Sequence, residues 1–235
     1  MAGNEAMSID DRSWLRQLQK QHSDQLLSVL TVLLVVMLFV VSPFQAVGIK
    51  IFDAFGVVVG LVMIAGVLII SASPMATAIM LAGFSLNVMV VTARLIKPLP
   101  YDLYLAAAGW LISACVLGYV VARKVFSAGR VNVHRIVGAV LLYLLIAMAF
   151  VSLFMIVGLW LPNAFNGMVL EDNQKLSSNL IYFSFVTLTT VGYGDIVPIH
   201  PVARSLCNLE SIIGQLYPAT LLARIVSLEI EARRQ

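Results

Sequence analysis

Long stretches of this 235-residue chain contain no Asp, Glu, Lys or Arg. They cover residues 25–49, 54–93, 103–122 and 136–170. A helix that crosses a bilayer needs about 20 mostly apolar residues, and each of these stretches is long enough. The composition agrees, because 60% of the residues are hydrophobic and only 11% are charged, against about a quarter in a soluble domain. These features predict an integral membrane protein and exclude a soluble enzyme, a disordered chain and a secreted disulfide-bonded domain.

The uncharged stretches divide into six predicted spans. Residues 54–93 are interrupted by a Ser-Ala-Ser-Pro sequence at 71–74, and proline disfavours helix in the residue before it, so we predict two spans joined by a turn. The helix within 136–170 is expected to stop near residues 161–163, Leu-Pro-Asn. The last span is predicted over residues 202–226. The fold class is therefore an all-α membrane protein with six transmembrane helices.

A further uncharged stretch, residues 176–194, is too polar for a lipid-facing helix. It is rich in hydroxyl groups and glycine, namely Ser177, Ser178, Ser184, Thr187, Thr189, Thr190, Gly192 and Gly194. Irregular backbone at membrane depth requires protein or water around it. We therefore predict a re-entrant segment, in which Ser177 or Ser178 caps a short helix that ends near Thr189.

Residues 189–195 read Thr-Thr-Val-Gly-Tyr-Gly-Asp, which resembles the signature of potassium channels. Residues 182–198, YFSFVTLTTVGYGDIVP, resemble voltage-gated-type potassium channels in particular, and six spans with the loop between the fifth and sixth match that superfamily. The resemblance implies passive, selective K⁺ conduction, with K⁺ as the permeant ion and no cofactor. It also assigns a selectivity filter and its K⁺-binding carbonyl oxygens, carried by Thr190, Val191, Gly192 and Tyr193, with Gly194 completing the segment.

The residue types suit this chemistry. A dehydrated K⁺ ion needs rings of oxygens in place of water, and successive carbonyls can point to one side only if the dihedral angles alternate. Gly192 and Gly194 tolerate the unusual angles. Val191 and Tyr193 are expected to point away from the pore towards the short helix. One chain supplies one such segment, so a closed ring implies a homotetramer, with the chain as its own partner.

The same resemblance implies a supporting set around the filter. Asp195 is expected to form a ring of acids at the outer mouth, and Tyr182, Phe183 and Phe185 an aromatic cuff; Thr189 belongs to the same support. We hypothesise that Tyr182 hydrogen-bonds Asp195.

Three residues in the last span are candidates for gating. Gly214 and Pro218 can form a hinge, or a static kink. Glu210 is the one acid placed deep in a predicted span, where ionisable residues are usually functional. It either lines the cavity or lies behind the filter, bonded to Thr or Ser hydroxyls. His200, near the outer mouth, is either a proton sensor or a capping residue.

Charge placement gives the topology and the domains. Ten of the 15 basic residues fall on the side that holds both termini, which is therefore expected to be cytoplasmic, in a bacterial inner membrane. Voltage-gated relatives carry a basic ladder in the fourth span, and residues 103–122 contain no basic residue, so strong voltage gating is not expected. The predicted units are a cytoplasmic segment (1–24), a four-helix voltage-sensor-like bundle without gating charges (25–122), a cytoplasmic connector (123–135), a pore domain (136–226) and a cytoplasmic tail (227–235).

Several alternatives stay open or are disfavoured. The basic connector from Arg123 to Arg135 binds anionic lipid headgroups or is simply a solvated loop. A non-selective cation channel of the same architecture is the nearest rival, although Tyr193, which such channels usually lack, is present; a non-conducting regulatory subunit is a further alternative. The chain has no protease or hydrolase motif, so it is not expected to be an enzyme, and a net charge of +3 does not indicate nucleic-acid binding.

Overall fold

A computed structural model describes residues 27–48, 60–67, 74–96, 101–126, 133–171 and 175–233. Within these ranges the chain forms seven helices and two very short strands. They are α1 (Leu27–Ala46), α2 (residues 60–67), α3 (Pro74–Ile96), α4 (Asp102–Val125), α5 (Val133–Trp160), β1 (Phe165–Asn166), α6 (Leu176–Leu188), β2 (Val197–Pro198) and α7 (Pro201–Arg233).

Four of the described helices, α1, α3, α4 and α5, are long and apolar enough to cross a membrane. Four of the six predicted spans therefore have the required length and composition. The second span is described only over α2, and the turn at residues 71–73 lies outside the described residues. The last predicted span falls in α7, which is 33 residues long but more polar. Six spans therefore remain a prediction.

The helix ends follow local chemistry. α5 stops at Trp160 as predicted, because Pro162 follows and Asn163 has a φ of +57°. The last span and the pore domain are predicted to end at residue 226, and α7 continues beyond that residue to Arg233, so the end of the span within this helix stays a prediction. Residues 227–233, Ser-Leu-Glu-Ile-Glu-Ala-Arg, are mostly strong helix formers, so nothing in them ends the helix.

α5 is the most buried of the four apolar helices and α3 the least. α4 packs along α5, and α3 packs along α4. The α3 and α4 backbones approach closely, because a Cβ on Gly109 would lie 2.7 Å from the carbonyl oxygen of Gly83. In α2, Gly66 faces Leu30 of α1. Helices α1 to α4 thus form a bundle that packs against α5 of the same chain.

Two contacts bring distant parts of the chain to α6. A π-helical turn, Met37–Val41, lies within α1, and its Phe39 ring packs 5.1 Å from the ring of Phe185 in α6. The second contact joins the chain before α6 to the chain after the TVGYG sequence. There β1 pairs antiparallel with β2, with Phe165 opposite Pro198 and Asn166 opposite Val197. The loop before α6 and the chain that follows the motif are thereby held together.

Candidate functional site

The short helix α6 positions the loop that we call the TVGYG segment, residues 190–194. α6 begins at Leu176 after Lys175, which makes no side-chain capping bond. The prediction of a serine cap is therefore wrong, because Ser177 and Ser178 already lie within the first turn. α6 ends at Leu188, as predicted, and the Thr189 hydroxyl donates back to the carbonyl of Phe185 at 2.6 Å.

The start of the TVGYG segment is folded back onto the end of α6. The amides of Val191 and Gly192 both donate to the carbonyl of Val186, at 3.0 and 3.2 Å, and the amide of Thr190 donates to Thr187 at 2.9 Å. Helix ends leave carbonyl groups without partners, and here the loop itself supplies the donors. The position of α6 therefore sets the position of the segment.

The backbone of the segment alternates. Thr190, Gly192 and Gly194 have φ angles of +57°, +58° and +80°, whereas Val191 and Tyr193 between them are not left-handed. A Cβ added to Gly192 or Gly194 would meet nothing within 4 Å, so conformation, not space, requires glycine there. The alternation was predicted for the two glycines. Thr190 was missed, because a β-branched residue rarely adopts this conformation, at a cost of about 1–3 kcal/mol.

The side chains of the TVGYG segment are exposed in a single chain. Residues 189–195 are all exposed, with Val191 at 52% and Tyr193 at 72%. Tyr193 contacts α6 as predicted, because its ring stacks parallel to that of Tyr182 at 6.3 Å. The Tyr182 hydroxyl also interacts with the side chain of Asp195, and the hypothesised hydrogen bond between them stays a prediction.

The predicted aromatic cuff is divided between two faces of α6. Tyr182 faces Tyr193, whereas Phe183 is buried on the opposite side of α6. The centre of its ring lies 4.9 Å from that of Phe154 in α5 and 5.4 Å from that of Phe165 in β1. Phe183 and Tyr182 lie on different faces because successive helical residues point in different directions. Phe183 holds α6 against α5 from behind.

Residues 164–167 form a clamp on the outer side of the segment that sequence reasoning missed. The amide of Ile199 donates to the carbonyl of Ala164 at 2.8 Å, and Gly167, with φ of +85°, lies directly against the carbonyl of Asp195. His200 accepts a hydrogen bond from the amide of Val202 at the start of α7, which is the capping alternative for this residue.

Glu210 lies behind the segment. It is fully buried within one chain and in contact with a serine hydroxyl, which is the second of the two arrangements predicted for it. Its Oε1 atom is 2.6 Å from the hydroxyl oxygen of Ser184 in α6, which is also 3.1 Å from the carbonyl oxygen of Ala147 in α5. Among the residues that the structure describes, none hydrogen-bonds the Oε2 atom. Ser184 was not predicted as a site residue.

Gly214 is a point of close approach between α7 and the end of α6. A Cβ at this position would overlap the carbonyl oxygen of Leu188. Close packing against Leu188 therefore explains why glycine occupies this position, whether or not the helix bends there. α7 is continuous through Pro218, whose missing N–H leaves the carbonyl of Gly214 without its helical donor. The hinge therefore stays a prediction, at a point where the helix is weakened.

Two tyrosines tie the helices together beyond this contact. The Tyr217 hydroxyl donates to the carbonyl of Ala139 at 2.7 Å, and its ring stacks 5.7 Å from that of Tyr143. Tyr143 in turn reaches the carbonyl of Leu188 at 3.5 Å, a weak hydrogen bond. Their spacing in the sequence gave no signal for this contact.

Residues 138–231 match a family described as Ion channel. The chain is 38% identical over 56 residues to Protein LctB of Bacillus caldotenax, a match covering 24% of this chain and 41% of the relative. It is 39% identical over 51 residues to the inward rectifier potassium channel Kirbac3.1 of Paramagnetospirillum magnetotacticum, covering 21% of this chain and 17% of the relative. The matches thus span less than half of either relative. No solved structure matches. The region from residue 138 to residue 231 is thus similar to an ion-channel family, in a chain whose described part contains four helices apolar and long enough to cross a membrane.

Proposed function

We propose that the protein is a potassium-selective channel that conducts K⁺ passively through a homotetrameric pore. The observation that carries this proposal is the alternation of left-handed residues at 190, 192 and 194, directly after a short apolar helix. A strand in which every second peptide is reversed in this way can direct successive carbonyl oxygens to one side. The ligands are the carbonyl oxygens of Thr190, Val191, Gly192 and Tyr193, and Gly194 allows the chain to leave the pore.

The support around the segment is consistent with an ion pathway. Asp195 is exposed at its outer end, where four copies would attract cations. Tyr182 contacts both Tyr193 and Asp195, so the outer half of the segment is held from α6. The inner half is held by the carbonyl of Val186.

The homotetramer is supported by what one chain leaves uncovered. In addition to Val191 and Tyr193, α7 exposes an apolar stripe at helical spacing, formed by Leu209, Ile212 and Leu216, which are 49–57% exposed. A stripe with this spacing is one face of a helix. We place it towards the pore axis and the neighbouring subunits.

We further propose an inner-membrane protein with both termini cytoplasmic and little voltage dependence. In α4, the basic residues Arg123 and Lys124 lie in the last turn, and none lies between Leu103 and Ala122. These two residues, with Arg135 in the first turn of α5, are placed to contact anionic headgroups. Residues 127–132 of the connector lie outside the described part of the chain.

Purified protein in liposomes tests the proposal. The reversal potential, measured with K⁺ on one side and Na⁺ on the other, is expected to approach that of a K⁺ electrode. Gly192→Ala should abolish selective flux, since an L-residue in the left-handed region costs about 1–2 kcal/mol in each subunit. Gly118→Ala is the matched control, because the nearest atom to its Cβ would be 3.7 Å away. Equal permeability to Na⁺ would favour the non-selective channel, and absence of flux the regulatory subunit.

A further inference from the structure

We propose that Glu210 is a neutral carboxylic acid whose proton is donated to Ser184, and that it acts as a positioning residue for ion selectivity. The inference rests on the proposed function for its selectivity role, whereas the protonation state stands on the contacts of Glu210 alone.

The number of protons around Ser184 favours the neutral acid. The Ser184 hydroxyl has one hydrogen but two acceptor atoms within reach, the carbonyl oxygen of Ala147 and Oε1 of Glu210. If the hydroxyl donates to Ala147, the 2.6 Å contact with Oε1 needs its proton from Glu210. The two hydrogen bonds then form a chain in one direction, from Glu210 to Ser184 to Ala147.

The ionised alternative leaves the site poorly satisfied. A carboxylate would accept one hydrogen bond from Ser184, the Ala147 contact would lose its donor, and Oε2 would remain buried without a hydrogen-bond partner among the described residues. Burying an unpaired charge costs far more than burying a neutral acid, so such groups take up a proton. The titratable groups that interact electrostatically with Glu210 are Tyr143 of α5 and Cys207 of α7. Neither supplies a positive charge.

The location of the chain of hydrogen bonds gives it a function. It joins α7, α6 and α5 at one point, four residues before Gly214 in α7. Ser184 is two residues before Val186, whose carbonyl holds the amides of Val191 and Gly192. A shift of α6 at Ser184 therefore moves the inner half of the TVGYG segment. The link fixes the spacing of the carbonyl oxygens without touching the ion.

The protonation state is tested by infrared spectroscopy of the purified protein at neutral pH. The difference spectrum of wild type minus Glu210→Gln is expected to contain the carbonyl stretch of a protonated carboxylic acid. Glu171→Gln, which alters an exposed acid, is the matched control and should leave that band unchanged. A carboxylate band lost in Glu210→Gln would overturn the inference, whether or not the protein conducts.

The positioning role is tested by comparing two substitutions at this site. Glu210→Gln keeps a neutral donor for Ser184, so its K⁺ over Na⁺ permeability ratio should stay within about twofold of wild type. Glu210→Leu removes the donor while Ser184 keeps Ala147 as acceptor, and the ratio should fall by up to about tenfold, as the loss of one hydrogen bond allows. If Gln impairs selectivity as much as Leu does, the neutral link is not what matters.

If Glu210→Leu does not assemble, a substitution of Ser184, the partner of Glu210 in the hydrogen bond, still tests the inference. Ser184→Ala should lower both the selectivity and the melting temperature, because it leaves the acid without an acceptor. Combining it with Glu210→Leu should then add little further loss, since both remove the same link. Fully additive losses would contradict the inference. Absence of K⁺ flux from wild-type protein would refute the proposed function, while the infrared result would still stand or fall by itself.

Discussion

At the scale of single residues, the backbone of the TVGYG segment is held by side chains that lie outside the segment. Tyr182 stacks on Tyr193 and interacts with Asp195, so one side chain restrains two exposed residues. Glu210 acts at the other end of the segment, through Ser184. The backbone conformation at Thr190 is unfavourable for threonine, and these contacts oppose its relaxation.

Tyr182→Phe separates the two contacts of this tyrosine. The ring stack is retained and the hydroxyl that interacts with Asp195 is removed, and a hydrogen bond from it would be worth about 1 kcal/mol. We expect inactivation of the K⁺ current to become roughly fivefold faster, with little change in the amount of assembled protein. Recordings from reconstituted channels provide the measurement. Tyr101→Phe, at the exposed start of α4, is the control, and equal inactivation in all three proteins would show that the bond has no such role.

Gly214→Ala tests whether this glycine serves packing. The new Cβ would overlap the carbonyl of Leu188, so we expect a loss of about 1–3 kcal/mol in stability, which is the usual cost of overpacking. Thermal unfolding in detergent, with Gly118→Ala as the matched control, measures it. A variant as stable as wild type but unable to open would instead favour a pure hinge.

At the scale of helices, α7 has a firmly held half and a weaker joint. Before Gly214 it is joined to α6 through Ser184 and through Ser211, whose hydroxyl donates to the carbonyl of Thr187 at 3.3 Å. At Gly214 the helix lacks a Cβ, and Pro218 removes a hydrogen bond. Within this joint the hydroxyl of Tyr217 donates a hydrogen bond to Ala139 and so ties α7 to α5. A gate formed by bending at the joint would have to break that tie.

Tyr217→Phe therefore should favour bending. The substitution removes the 2.7 Å hydrogen bond to Ala139 and keeps the ring against Tyr143. Loss of this bond destabilises the unbent helix by about 1 kcal/mol, so a gate that opens by bending at the joint is expected to show a roughly fivefold higher ratio of open to closed channels per subunit. Tyr143→Phe, which removes only a weak 3.5 Å contact, should have a smaller effect in the same single-channel recordings. An unchanged open probability in Tyr217→Phe would place the gate elsewhere.

The sequence predicts these helices far better than their contacts. Uncharged stretches locate α1, α3, α4 and α5, because lipid requires apolar residues over a known length. The pairing of β1 with β2 could not be predicted, since two-residue strands show no periodicity. The link between Ser184 and Glu210 joins residues 26 positions apart on two helices, and only packing brings them together. Thr190 escaped prediction for a different reason, because its conformation opposes its own intrinsic preference.

At the scale of the whole molecule, a single chain cannot form the proposed pore, which needs four copies of the TVGYG segment. Its TVGYG segment is exposed on the same chain that exposes the apolar stripe Leu209, Ile212 and Leu216. α3 also exposes apolar residues, including Met75, Ile79 and Leu81, but it is the peripheral helix of the bundle. Lipid can cover α3, whereas residues beside a water-filled pore need protein neighbours. The two apolar surfaces should therefore respond differently to truncation.

Replacing Leu209, Ile212 and Leu216 together by Ala should weaken the tetramer, because close van der Waals packing drives helix association in membranes. Native mass spectrometry in detergent is expected to give four times the 25.6 kDa chain mass for wild type and mainly smaller species for the triple variant. The same truncation at Met75, Ile79 and Leu81 should leave the tetramer intact, since these side chains face lipid in the proposed assembly. Loss of the tetramer in the α3 variant alone would reverse the assignment of the two surfaces. A wild-type protein with the mass of one chain would leave the segment without the three further strands that a ring of carbonyl oxygens requires.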